Sequence, residues 1–407
     1  MKLTKKSQIY SLTFLLTLVY FASYVTRINF ATVMVEFIRA ENVAKSAASL
    51  ITTTSFITYG TGQLLSGVLA DRFSPRMLIF TGFVSTVVCN LLIPFVSPSI
   101  PAMMAIWGIN GVAQAFMWPP IVKIMTAALT EMDYANAVSK ICFGSAGGTL
   151  AVYLLCPIVI KVADWKTVFF LSAIIGALIG VVFLFWSKRL LKGVDLLEKK
   201  EKAHSEKTSS PLLKTMVIML PVVLMTIALQ GMLRDGISTW VPTFVSETFN
   251  LGSELSILIS VVLPIFHVLC TLFTYHVYKM LKNNTFIAIL VFFGGVLLSL
   301  ICLRYFGTSS LGMAIASLAF TNGLIHCVNA LQTCYLPIYY KDSGKISTYT
   351  GILNFATYIG SALSTWLFAK MSENYGWNTT IFSWILLCIA GVTLTAVCYM
   401  AIRKKIK

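Results

Sequence analysis

Four basic residues, Arg27, Lys123, Arg234 and Lys370, lie well inside long apolar stretches of this 407-residue chain. Lys140 is a borderline fifth, near the start of another stretch. Asp235 is the one acid well inside such a stretch, since Glu36 and Glu247 stand near the ends of theirs. A charge at the centre of a bilayer costs roughly 2.5–3.5 kcal/mol even on a lenient scale. Such side chains turn toward the protein interior and need counter-charges there. Here the cations outnumber the acids, so the missing negative charge is most simply a bound substrate. Guanidinium forks suit bidentate binding of phosphate or carboxylate. Other roles compete: Lys370 is close enough to a segment end to snorkel, Lys140 can sit at the membrane surface, and Asp235 can neutralise Arg234 or act as a proton site.

Neighbouring residues sharpen this reading. Tyr20, Tyr24 and Arg27 follow at i, i+4 and i+7, which is one helical face. Asn29 points elsewhere, toward a neighbouring helix. Gln63, His267, His326 and Asn329 are polar residues in apolar runs, suited either to interhelical hydrogen bonds or to ligand contact. The substrate-binding candidates are therefore Arg27, Arg234, Tyr20, Tyr24, Lys123, Asn29, Trp118, Lys140, Gln63, Asp235 and His326.

The elements that must position these residues are membrane helices. The chain is 57% hydrophobic and only 11% charged, against about 25% charged for a soluble domain. Runs of about 20 apolar residues mean spanning helices, because backbone groups in lipid must pair internally. Twelve can be drawn, near 8–37, 47–70, 77–96, 101–129, 135–160, 166–187, 213–246, 254–279, 285–304, 308–338, 346–371 and 378–402. The N-terminal run is too long for a signal peptide and reads as the first span. The charged segment 188–212 is a linker between an N-terminal six-helix bundle, 1–187, and a C-terminal one, 213–407.

The 31 Lys and Arg against 15 Asp and Glu do not point to nucleic acid, because they fall mostly in short loops. With a cytoplasmic N-terminus, 22 lie in inside segments and five, Arg39, Lys45, Lys161, Lys166 and Arg304, in outside ones. By the positive-inside rule both termini and the linker are cytoplasmic. Arg27 and Arg234 stand 207 residues apart, about half the chain, as expected of two parallel halves with a site at their interface. The nine cysteines show no CxxC or metal-ligand spacing. No cofactor or metal is expected, and no nucleophile–base set or nucleotide fingerprint suggests an enzyme.

Several motifs carry a family resemblance. Gly67-Val-Leu-Ala-Asp-Arg-Phe-Ser-Pro-Arg76 resembles the signature loop between helices two and three of the major facilitator superfamily. That likeness implies a gating role for Gly67, Asp71, Arg72 and Arg76, with the glycine allowing close helix approach. Tyr20-Phe-Ala-Ser-Tyr-Val-Thr-Arg-Ile-Asn-Phe30, Trp118-Pro-Pro120 followed by Lys123, Leu233-Arg-Asp-Gly-Ile-Ser-Thr-Trp-Val-Pro-Thr243 and Gly376-Trp377 resemble the organophosphate:phosphate antiporters, which include bacterial glycerol-3-phosphate and hexose-6-phosphate transporters. The resemblance implies a phosphate site on Arg27 and Arg234 and alternating access around it. Where the glycerol-phosphate branch has a Lys on helix two and a His on helix five, this chain has Gln63 and Gly144, and Lys140 is the candidate replacement base.

The expected protein is an all-α, twelve-helix, multi-pass transporter of the cell (inner) membrane, monomeric in the lipid bilayer. It is expected to exchange a phosphorylated sugar or polyol for inorganic phosphate. The alternatives are a proton-coupled symporter of organic carboxylates such as sugar acids, with Asp235 as the proton site, and a membrane sugar-phosphate sensor.

Overall fold

The computed structural model describes residues 2–196, 211–343 and 346–403, and the secondary structure of the described residues is helical throughout. Most of the predicted linker lies outside the described residues. The chain divides into two compact units, Met1–Glu201 and Lys202–Lys407.

The first unit holds α1 (Lys6–Ala40), α2 (Lys45–Arg72), α3 (Pro75–Val96), α4 (Ile100–Ala128), α5 (Glu131–Val162) and α6 (Trp165–Leu190). In the second, a short helix, Pro211–Ile218, leads into α7 (Leu220–Phe249), then α8 (Ser253–Met280), α9 (Thr285–Phe306) and α10 (Leu311–Tyr340). One helical stretch, Ile346–Ile402, follows. It contains a single residue far from helical geometry, Gly376, at φ 75° and ψ 174°. A positive φ is open to glycine and strained for residues with a Cβ. Gly376 therefore separates α11 (346–375) from α12 (377–402), and the Trp377 indole after it donates to Glu247 Oε2 at the end of α7, 2.8 Å away.

Ten described helical stretches are long and apolar enough to span a membrane, with the last counted once. Splitting it adds one. The twelfth is α2, a continuous 28-residue helix diluted by Ser and Thr. Its hydroxyls turn back on the preceding turn, as Thr54 does to the Leu50 carbonyl at 2.8 Å and Thr58 to that of Thr54 at 3.0 Å. A hydroxyl paired in this way adds no unsatisfied group to the span.

The same pairing of helices occurs in both units. In the first, α1 packs on α5 and α2 on α4; in the second, α7 packs on α11 and α8 on α10. Small residues bring the first and third of these pairs backbone to backbone. A Cβ on Gly148 would stand 2.5 Å from the Phe21 carbonyl oxygen of α1, and one on Gly144 would strike that of Thr17. In the second unit, Gly231 is closed off by the Thr357 carbonyl and Gly360 by that of Ala228. Gly144 is thus a packing position, which accounts for the absence of a histidine there.

One expectation at the α2–α3 loop is corrected. No atom lies within 4 Å of a Cβ on Gly67, so this glycine does not serve a close helix contact. Arg76 acts as a tie between helices: its Nε donates to Ser187 Oγ at 3.0 Å and its Nη2 to the Leu184 carbonyl at 3.3 Å, both on α6. Arg72 is exposed at the end of α2, and the Asp71 side chain lies outside the described residues.

The two glycines make opposite predictions. Gly148→Ala should lower the detergent-solubilised melting temperature, the signature of an overpacked contact costing about 1–3 kcal/mol. Gly67→Ala should leave it unchanged or raise it, because a helical glycine gives up about 0.5–1 kcal/mol to alanine. Equal effects of the two would contradict this packing.

Candidate functional site

In the first unit Arg27 sits half-buried on α1 in an aromatic surround. Its guanidinium carbon lies 4.4 Å from the centre of the Tyr24 ring and 4.8 Å from that of Tyr59 on α2. Tyr20 meets Tyr24 edge to face at 5.2 Å and packs on Trp118 of α4 at 5.0 Å. Ring faces attract a cation, and two of them flank this guanidinium. Gln63 stands one turn beyond Tyr59 on α2, and Lys123 is half-buried on α4, five residues past Trp118.

A buried polar network holds this part of α1 in register. Gln114 of α4 accepts from Ser23 Oγ at 2.6 Å and donates to Thr26 Oγ1 and to Thr86 Oγ1 of α3, both at 2.9 Å. Thr86 in turn donates to Asn110 Oδ1. Asn90 of α3 donates to the Thr26 carbonyl at 3.1 Å and accepts from Asn29 Nδ2 at 2.7 Å. Asn29 is fully buried in this network. Its role as a substrate contact is therefore corrected: it joins α1 to α3. Lys140 is likewise corrected. It is exposed, with its Nζ 4.8 Å from the centre of the Tyr10 ring. Tyr10 lies 17 residues before Arg27 on α1, about 25 Å along a helix rising 1.5 Å per residue. Lys140 cannot serve as the base missing beside Arg27.

In the second unit Arg234 lies on a π-helical turn, Met232–Gly236, inside α7. Turns of this kind re-aim side chains and recur at functional sites. Arg234 is only 8% exposed. One edge of its fork grips its chain neighbour: Nε donates to Asp235 Oδ1 at 2.8 Å and Nη2 to Oδ2 at 2.6 Å. Nη1 donates to Asn329 Oδ1 of α10 at 2.7 Å, and the Tyr358 ring of α11 stands 5.6 Å away. Asp235 Oδ2 also accepts from Ser361 Oγ of α11 at 2.6 Å. The expectation that both arginines look to a substrate for counter-charge is thereby corrected for Arg234, whose charge is met within the protein by Asp235.

Next to this group, Ser238, one turn after Arg234, donates to Asn322 Oδ1 of α10 at 2.8 Å. His326 of α10 stacks on His267 of α8, with ring centres 3.6 Å apart and planes 17° apart. Lys370 lies on α11 with its Nζ 5.2 Å from the Trp366 ring, at an exposed position that suits snorkelling.

Of the sequence candidates, the structure gathers Tyr20, Tyr24, Arg27 and Trp118 in one unit and Arg234, Asp235 and His326 in the other. Sequence reasoning missed Tyr59, Tyr358 and Ser361. Tyr59 carried a faint signal, one turn before Gln63 on the same face; Ser361 is one serine among many and carried none.

Comparison with known proteins agrees with this fold. The Major Facilitator Superfamily pattern matches residues 16–365. The probable hexose phosphate transport protein of Chlamydia muridarum is 29% identical over 161 residues, covering 40% of this chain and 35% of that one. The glycerol-3-phosphate transporter of Bacillus subtilis is 27% identical over 254 residues, covering 58% and 57%. The chain thus matches between a third and three-fifths of these two relatives. The membrane sensor protein UhpC of Salmonella typhimurium is 24% identical over 400 residues, covering 91% and 86%. In fold, the chain is similar to a bacterial homologue of the human lysosomal transporter Spinster, at TM-score 0.79 and 12% identity over 98% of this chain and 99% of that one. With twelve helices among the described residues, two units of like pairing and a family match over most of its length, the chain belongs to the major facilitator superfamily of membrane transporters, and the three relatives named above are of the organophosphate:phosphate antiporter family.

Proposed function

We propose that this protein is a secondary transporter of small organic anions that exchanges a phosphorylated sugar or polyol for inorganic phosphate by alternating access. Arg27 and Arg234 are its anion-binding groups, with Tyr20, Tyr24 and Trp118 shaping the first site and Lys123 and Gln63 flanking it. One observation carries the reading: the buried Arg234 fork is already closed around a carboxylate in bidentate geometry. A site that orders Asp235 this way has the shape and charge to order a substrate oxyanion in its place. Relatives named for hexose phosphate and glycerol-3-phosphate support the substrate class. The reading includes the bundle limits 1–187 and 213–407, a monomeric protein, cytoplasmic termini in the cell membrane and a gating role for the α2–α3 loop.

Asp235 favours a second reading, proton-coupled symport of organic carboxylates. A substrate entering the fork leaves Asp235 on Ser361 alone, and a buried carboxylate without its cation is costly unless it takes up a proton. The sensor relative supports a third, in which the bound sugar phosphate signals without net transport.

Proteoliposomes loaded with inorganic phosphate separate these readings. Exchange predicts uptake of labelled hexose 6-phosphate that depends on internal phosphate and survives collapse of the pH gradient. A sensor shows binding without such uptake. Arg27→Lys and Arg234→Lys keep a charge but lose the fork, and each should cut uptake roughly 10–100-fold, the loss of charge-assisted hydrogen bonds. Normal uptake by both variants would refute the anion clamp. Asp235→Asn should leave phosphate-driven exchange in place; abolition of a pH-driven sugar-acid uptake by this change would establish the symport reading instead.

A further inference from the structure

The stacked pair His267–His326 is unused by the arginine sites. His326 follows Asn322 by four residues and precedes Asn329 by three, so the three share one face of α10. The two asparagines on either side of it are bound by α7: Asn322 accepts from Ser238 and Asn329 from Arg234. Asn322 Nδ2 also donates to the Leu263 carbonyl of α8 at 3.0 Å, one turn before His267. The pair is thus held at a fixed height beside Arg234.

Both rings are half-buried. Among the described residues, none hydrogen-bonds to a nitrogen of either ring. A face-to-face stack leaves the ring edges, which carry the nitrogens, open to a partner. A neutral imidazole offers one N–H donor and one acceptor nitrogen. A hydroxyl group offers the same complement, whereas a phosphate oxyanion offers acceptors alone and belongs on a guanidinium.

Resting on the anion-exchange reading, we propose that His267 and His326 are specificity-determining residues that hydrogen-bond the hydroxyl groups of the substrate's organic part, while its phosphoryl group is held by arginine. Inorganic phosphate has no such part, so the pair separates the two transport modes of one protein.

The experiment compares phosphate:phosphate exchange with phosphate-driven hexose 6-phosphate uptake in proteoliposomes. His267→Phe and His326→Phe keep an aromatic stack and remove the nitrogens. Each should raise the KM for hexose 6-phosphate about tenfold, as for a lost hydrogen bond in a site built to make one. Phosphate exchange and the detergent melting temperature should stay at the unaltered protein's values. His267→Gln and His326→Gln, which keep a donor and an acceptor, should recover part of the lost affinity. The proposal is overturned if the Phe variants leave hexose 6-phosphate uptake unchanged, or if both modes fall together. Absence of phosphate exchange in the unaltered protein overturns the transport reading itself, and this one with it.

Discussion

A guanidinium inside an apolar helix bundle must be met by charge, by hydrogen-bond acceptors or by π faces, because hydrocarbon offers none of these. Much of the local structure in both units answers to that requirement. Around Arg234 it takes a π-turn to aim the side chain, a carboxylate from the next residue, an amide from α10 and a hydroxyl from α11 to hold that carboxylate. Around Arg27 it takes two tyrosine faces from different helices. The two arginines are alike in sequence position, and the groups described around each are of different kinds. Arg234 holds an internal anion in its fork, whereas Arg27 is cradled by rings.

Such side chains stay in place only if their helices cannot slide. Two devices fix them. The α1–α5 and α7–α11 pairs touch backbone to backbone at glycines, where a single methyl group has no room. In the first unit, Ser23, Thr26, Asn90, Asn110 and Gln114 satisfy one another across α1, α3 and α4. Buried amides that find partners in only one arrangement specify register as well as stability. The repetition of one pairing scheme in both units is the physical content of the internal repeat expected of such transporters.

The parts of this design that depend on one residue or one helix were legible in the sequence. Apolar runs marked the spans, Arg27 and Arg234 stood out against them, and the i, i+4, i+7 spacing placed Tyr20 and Tyr24 with Arg27. The parts that depend on which helix lies opposite were not. Gly144 read as a lost histidine, yet it is where α1 leans on α5. Gly67 read as a close-contact glycine from its motif, yet its surroundings are open. Lys140 was one turn from the right position in sequence, yet it lies beside Tyr10, about 25 Å along α1 from Arg27. Asn29 was placed correctly as pointing to another helix, but its partner Asn90 could be found only in three dimensions.

The claim that an oxyanion site is centred on these arginines is tested most directly by ligand-dependent melting of the purified protein in detergent. A ligand that binds only the folded state adds about 2.7 kcal/mol of stability at a hundred times its Kd. Inorganic phosphate and hexose 6-phosphate should raise the melting temperature, and Arg234→Lys should remove the rise, measured against that variant's own ligand-free value. Stabilisation by sugar acids with none from phosphate or sugar phosphates would contradict it.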